Sequence, residues 1–310
     1  MNTVQLLLLC VLAAGFLLLW FGGVKRRRLA TAYARWVILG LASIAILSPF
    51  VWLVAACFKD RSVLNEYIFF PSLAVWSDQT INLSNFERLF EGKASVQGTI
   101  YFWQYLLNST VYATVSTSVQ LFFCSLAGYA LAKYQFRGKK LLTGYMLGSM
   151  MIPGALLLAP IYSIFARWQL IDSLFGLMLP SLVTAYGIFL FRQACMSIPN
   201  ELIEAGRIDG CGEFGIYFRL VMPLVRPMSA AFCLISFLGN WNSFFTPNVF
   251  LHSQDKLTLP VVLNLYVAEY HNDYGVFLAG TALAMLPPAV LFFALQREFI
   301  SGLTSGAVKG

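Results

Sequence analysis

Charge is scarce in this chain. Of its 310 residues 11% are Asp, Glu, Lys or Arg and 59% are hydrophobic, and the mean hydropathy is +0.72. Soluble domains carry about a quarter charged residues, so a water-soluble globular fold is excluded. Histidine is scarcer still: His252 and His271 have no carboxylate spacing around them that would suggest a metal centre. The six cysteines, Cys10, Cys57, Cys124, Cys195, Cys211 and Cys233, form no CxxC pair, and only Cys57 falls near the outer face. A disulfide framework is therefore absent. Alternation of period two in ten-residue pieces is missing, which excludes an outer-membrane barrel. No fixed-period repeat or low-complexity tract occurs.

Long apolar runs are what remains. Crossing about 30 Å of hydrocarbon takes about 20 helical residues. Seven stretches qualify: 4–24, 36–58, 105–132, 141–166, 174–191, 228–251 and 274–295. The fold class expected is an all-α integral membrane bundle. None of the seven contains Asp, Glu, Lys, Arg or His. Ion-coupled carriers need ionisable groups at depth, so a secondary carrier or channel for small neutral solutes is the weaker alternative. An intramembrane enzyme lacks a nucleophile and base, and a non-transporting scaffold stays open on sequence alone. Neutral polar groups do occur at depth, among them Asn108, Asn240 and Asn242, with Trp241 beside the last two.

Lys and Arg in short loops set orientation. Placing 25–35, 133–140, 192–226 and the tail on the cytoplasmic side puts 15 basic and five acidic residues there. The other side keeps six basic and nine acidic residues. The net charge of +7 is then topology, and nucleic acid is not a required partner. The run at 4–24 has its cationic cluster after the apolar stretch, the reverse of a cleavable signal. It is expected to be an extra span with its N-terminus outside, a mis-assigned start being the rival.

Organisation along the chain follows. Residues 1–35 hold the extra span and its basic link, and 36–103 the first core span and one long external loop, with a short helix around 84–90. The rest of the membrane core is 104–300, and 301–310 is a cytoplasmic tail. Within the core, 192–227 is the only inner loop long enough to be a device. Asn200 is a candidate N-cap, Glu201 and Glu204 favour the helix start, and Gly210 favours its end. Leu202, Ala205, Gly206 and Asp209 recur at helical spacing, giving a face small at its centre. Phe214, Tyr217, Phe218 and Val221 make an apolar stripe on a second short helix ended by Pro223.

The stretch EAGRIDGCGEFGIYFRLVMPLVRP, residues 204–227, resembles the EAA loop of binding-protein-dependent ABC importer permeases. Glu204, Ala205, Asp209, Gly210, Pro223 and Pro227 match its pattern, while Gly206 and Cys211 stand where alanines are usual. Tyr217 takes the aromatic place, and Leu220 and Met222 the aliphatic ones. Flanking segments agree: AGYALAKYQFRGKK at 127–140, SLFGLMLP at 173–180, GNWNSFFTPNVFL at 239–251 and LPVVL at 259–263. Ser243 replaces the usual acid. The ending QREFISGLTSGAVKG points to the carbohydrate-uptake class, of maltose and glycerol-3-phosphate type.

The resemblance implies six core spans of the type I importer kind in a bacterial inner membrane. It implies a second permease subunit, two ATPase subunits, and an extracytoplasmic solute-binding protein that delivers a carbohydrate. Glu204, Ala205, Gly206, Asp209, Gly210, Pro223 and Pro227 would couple to the ATPase. Asn240, Trp241, Asn242 and Asn108 would border the sugar pathway, since neutral hydrogen-bonding groups and aromatic faces suit a polyol. No cofactor is expected on this chain. RGKK and EGKA have Lys133 and Glu87 where a phosphate-binding loop needs its first glycine, so ATP and Mg belong to the partner ATPase.

Overall fold

A computed structural model describes residues 24–71, 76–77, 79–95, 98–268 and 274–307, with backbone alone at 24–27 and 299–307. The expected span at 4–24, apart from its last residue, lies outside the described residues, as do His271 and the last three residues of the tail. The chain divides into two compact units, 1–82 and 83–310.

In the first unit, helix α1 runs Val24–Cys57, so the basic link expected as a loop is helical backbone. Beyond it, Lys59 pairs with Ile81 in an isolated bridge, and the Lys59 ammonium donates to the carbonyls of Tyr67 and Ile68.

The second unit begins with α2, Ser84–Phe90, where the sequence suggests a short helix. A hairpin of β1, Lys93–Ser95, and β2, Gly98–Ile100, follows unforeseen. Then comes α3, Phe102–Lys133, 32 residues without a proline or an internal charge. At 1.5 Å per residue it is about 48 Å long, enough to cross the hydrocarbon and project beyond it.

Three expected spans are bent rather than straight. The run at 141–166 divides into α4, Lys139–Ser149, and α5, Gly154–Arg167, which meet at 101°. Pro153 stands at the break, where it suits the head of a helix and cannot continue one. The run at 174–191 divides into α6, Leu174–Met178, with a 3₁₀ turn at Leu179–Ser181, and α7, Ala185–Met196, bent by 47°. Helix α8, Asn200–Ile208, precedes a composite helix of α9, Glu213–Ile216, a π turn, Tyr217–Val221, and α10, Met222–Leu224. That composite bends by 81° into α11, Arg226–Trp241. The span expected at 228–251 therefore stops at Trp241, and Phe245–Phe250 is a separate helix, α12. The chain closes with α13, Leu259–Ala268, α14, Tyr274–Ala284, and α15, Leu286–Ala307. Pro287 and Pro288 sit where the last two join. Among the described residues three helices are long and apolar enough to span a membrane, or six when each bent pair counts as one.

Helices α3, α7 and α11 form the centre. Gly128 on α3 lies so close to α7 that an added Cβ would stand 2.5 Å from the Phe191 Cβ and 2.7 Å from the Arg192 amide nitrogen. Small residues at such crossings let backbones approach where no hydrophobic force drives helices together. Two apolar cores result. One gathers Phe102, Tyr112, Phe237, Trp241 and Val276; the other gathers Tyr129, Phe191, Ile203, Ile216, Tyr217 and Phe232. The second core carries the candidate site.

Candidate functional site

Helix α8 ends in a tightly determined turn. Gly210 adopts φ +79°, open to glycine at little cost. The Cys211 amide donates to the Gly206 carbonyl at 3.0 Å and the Gly210 amide to Arg207 at 3.1 Å, which together make a Schellman stop. Asn200 is not the N-cap: it is the first helical residue, Pro199 holds the cap position, and Asn200 Oδ1 accepts from Lys133 Nζ at 2.9 Å. Lys133 donates to the Ile198 carbonyl as well, so the end of α3 grips the start of α8.

The faces differ from those expected. Ile203 and Gly206 turn inward, whereas Glu204, Ala205, Asp209 and Gly210 are exposed and Ile208 is 86% exposed. Gly206 thus does not share an outer face with Ala205. An added Cβ there would stand 2.8 Å from Leu220 Cδ1, so its smallness serves packing within the loop. On the composite helix Tyr217 and Val221 are buried with Ile216, but Phe214 and Phe218 are exposed, because the π turn rotates the stripe. Pro223, exposed at the end of this turn, lacks an N–H and would press on the carbonyl four residues back; the widened turn relieves that misfit. Pro227, half-buried, lies in the first turn of α11, where proline is tolerated.

A clamp of side chains joins these pieces. Arg207 Nε donates to Glu213 Oε1 at 2.9 Å and Arg207 Nη2 to Oε2 at 3.4 Å, while the Tyr134 hydroxyl donates to Oε2. Arg207 and then Tyr134 hold the Glu213 carboxyl below its ordinary pKa, and Glu213 raises that of Arg207. Beneath it, Tyr217 OH and Ser125 Oγ share a hydrogen bond of 2.7 Å. Lys133, Tyr134, Arg207 and Glu213 escaped sequence reasoning. The available signal was two opposite charges six residues apart across a glycine-ended helix.

The proposed pathway residues do not gather into one polar site. Asn240 Nδ2 donates to Thr117 Oγ1 at 3.3 Å, and the Trp241 indole donates to the Ala284 carbonyl at 3.1 Å. Asn108 Nδ2 donates to the carbonyls of Asp255 and Leu257 at 2.8 and 3.1 Å, so it ties down a loop. Trp241 and Asn242 border a cavity of about 380 Å³, with Leu259, Thr281 and Pro288 opposite. Among the described residues no cluster of His, Cys, Asp and Glu could hold a metal.

Helices bent around a glycine-packed centre, with an exposed helical knob between the fourth and fifth of the six bent or straight crossings, define a multi-pass membrane component. Residues 124–304 match the family described as "Binding-protein-dependent transport system inner membrane component". The chain belongs to that family, and the resemblance to binding-protein-dependent importer permeases is borne out. It is 35% identical to the arabinooligosaccharides transport system permease protein AraQ of Halalkalibacterium halodurans, over 92% of this chain and 100% of that protein. It is 31% identical to the lactose transport system permease protein LacG of Rhizobium radiobacter, over 92% of this chain and 98% of that protein. In fold it resembles a bacterial ABC transporter involved in the import of the acidic polysaccharide alginate, with TM-score 0.72, 22% identity, and coverage of 90% and 99% of the two chains.

Proposed function

We propose that this chain is one permease subunit of an ATP-driven importer for a carbohydrate, a sugar or oligosaccharide delivered by an extracytoplasmic binding protein. Family membership and relatives named for arabinooligosaccharide and lactose transport support the substrate class. The chain pairs with a second permease, and two separate ATPase subunits supply the energy. The loop 192–227 and the C-terminus face the cytoplasm, as the distribution of Lys and Arg requires.

One observation carries the coupling role: α8 is anchored along its flanks yet bare at its tip. Lys133 grips its start and Glu213 grips Arg207, while Glu204, Ala205 and Ile208 stand exposed. A knob held in this way transmits force instead of absorbing it. Closure of the ATPase pair pulls the knob, and the second core, which includes Ile203 and Tyr217, passes the displacement to α3 and α7. ATP and the loaded binding protein shift the inward-open to outward-open balance only through their preference for one state. Sugar passes beside the Trp241–Asn242 cavity, where Asn242 and Thr281 present neutral polar groups.

Glu204→Lys tests this reading. Inserted protein should remain at its normal level while uptake of labelled oligosaccharide falls by about tenfold or more, as expected for reversing one charged docking contact. Normal uptake by that variant, or a cysteine at Ala205 that never cross-links to the ATPase in native membranes, overturns the docking role.

A further inference from the structure

Beside the gripping end of α3 lies a cavity that the transport cycle described above does not use. Its volume is about 890 Å³, within the range of about 300–1,000 Å³ that holds small ligands. Lys139, Lys140 and Arg192 line it together with Gln135 and Thr143, and no Asp or Glu does. Arg192 Nε is buried there without a hydrogen-bond partner. Lys139 is held by a 2.9 Å hydrogen bond to the Tyr134 carbonyl, so its charge is fixed at the rim. From this basin a second, apolar groove of about 510 Å³ runs along α4 past Tyr145, Gly148 and Ile152. The two share Lys140, Leu141 and Gly144. Nothing would meet a Cβ at Gly144 or Gly148 within 4 Å, and Leu141 and Tyr145 beside them are exposed.

We propose that this paired basin and groove bind one anionic glycerophospholipid, its phosphodiester among Lys139, Lys140 and Arg192 and an acyl chain along Gly144 and Gly148. The charge is complementary: three cations with no acid stand where α4 leaves the loop and enters its apolar stretch, the depth at which a phosphate headgroup lies. The chain geometry agrees, because the polar end opens directly into an apolar trough that a free phosphate would not need. Buried guanidinium nitrogen requires an acceptor, and a phosphate oxygen supplies it. Only the leaflet concerned rests on the orientation proposed above; binding itself does not depend on it, and the following measurement is blind to sidedness and transport.

The importer, purified with its partner subunits, is exchanged into nanodiscs of equal phosphatidylglycerol and phosphatidylcholine and examined by native mass spectrometry. Phosphatidylglycerol should be retained on this subunit in about tenfold preference, the scale set by neutralising two or three interfacial cations. Lys140→Gln combined with Arg192→Gln should abolish the preference, and Lys140→Gln alone, at the rim, should reduce it should the double variant fail to assemble. Gly144→Leu should lower retention while leaving the permease pair intact. Equal retention of the two lipids, or an unchanged preference in the Lys140→Gln variant, overturns the proposal. So does displacement of the bound lipid by inorganic phosphate, which would mark a soluble-anion site. Dissociation of the permease pair by Gly144→Leu with lipid retention unchanged would give the groove to a partner helix and overturn it equally.

Discussion

The two ends of α3 are built on opposite plans. At its start, Asn108 and the loops beside it close on themselves. There Asp172 accepts from the His252 and Ser253 amides at 2.9 Å and from Lys256 Nζ at 2.9 Å, and the Ser253 hydroxyl donates to its second oxygen. Lys256 also donates to the Asp172 carbonyl, so Asp172 gathers this loop from both its carboxylate and its backbone. At the far end, Lys133 and Tyr134 hold a loop only by its flanks. The Arg207–Glu213 pair has side chains 46% and 49% exposed, against 40% and 25% for Lys256–Asp172. One end is finished and the other leaves its tip to be covered. The coupling proposed above uses that asymmetry: a stiff base, an open contact, and a closed opposite end against which motion would register.

The centre that joins the ends should be the least tolerant. Gly128→Ala forces the backbones of α3 and α7 apart, because the new Cβ would meet Phe191 and the Arg192 amide well inside contact distance. Overpacking of this kind costs about 1–3 kcal/mol, and the upper end is expected here since backbone, not a side-chain tip, is in the way. Thermal unfolding of the purified assembly in detergent should show a clear drop in midpoint. An unchanged midpoint would mean that the ends are not coupled through this crossing.

The closed knot comes next. Burial alone would raise the Asp172 carboxyl, but the hydrogen bonds from Ser253, Lys256 and His252 outweigh it and hold the group well below the ordinary carboxylate range. A depressed folded-state pKa contributes stability that is full above the unfolded value, near 4, and is lost as pH falls through the folded one. Asp172→Asn should therefore destabilise by about 1–3 kcal/mol at neutral pH, the cost of losing hydrogen bonds to a charged acceptor. The gap from the parent chain should narrow below about pH 4. A gap that stays constant with pH would remove the charge from the account of this end.

The open clamp should respond differently. Glu213→Gln keeps the shape and loses the charge, and exposed ion pairs are worth about 0–1 kcal/mol. Stability should barely move. Uptake, however, should fall while ATP hydrolysis by the assembly persists, since the flank of the coupling helix is then loose. Loss of both in proportion would make Glu213 merely structural.

How much of this was visible in the residues follows the same division. The loop proposed to couple is one contiguous segment whose Glu204, Asp209, Gly210, Pro223 and Pro227 fall in a recognisable order, so its position and its two short helices could be read directly. Its inward and outward faces could not, because Phe214 and Phe218 exchange roles with Ile216 once a π turn is inserted ahead of Pro223. The spans were legible as apolar runs, but apolarity does not record direction: neither the 101° break at Pro153 nor the stop of α11 at Trp241 interrupts the apolar pattern. The cavity beside Trp241 draws on α11, α13, α14 and α15. Asn108, Asn240 and Trp241 read in the sequence as groups bordering a sugar pathway, and in the structure each gives its donor to a partner brought from far along the chain.

The smallest effect is the most discriminating test of where the loop's small residues point. Gly206 stands where an alanine is usual in the resembled motif, and it faces Leu220 and Ile216 instead of the outer surface. Gly206→Ala gains about 1 kcal/mol of helix propensity. Against that, its Cβ would sit 2.8 Å from Leu220 Cδ1, the mobile end of a flexible side chain, which can rotate aside at little cost. The net effect is at most about 1 kcal/mol of stabilisation, so stability should equal or slightly exceed the parent's and uptake should stay close to it. Were Gly206 part of the surface that seats against an ATPase, the added methyl would instead slow uptake without touching stability, and the inward placement of this face would be wrong.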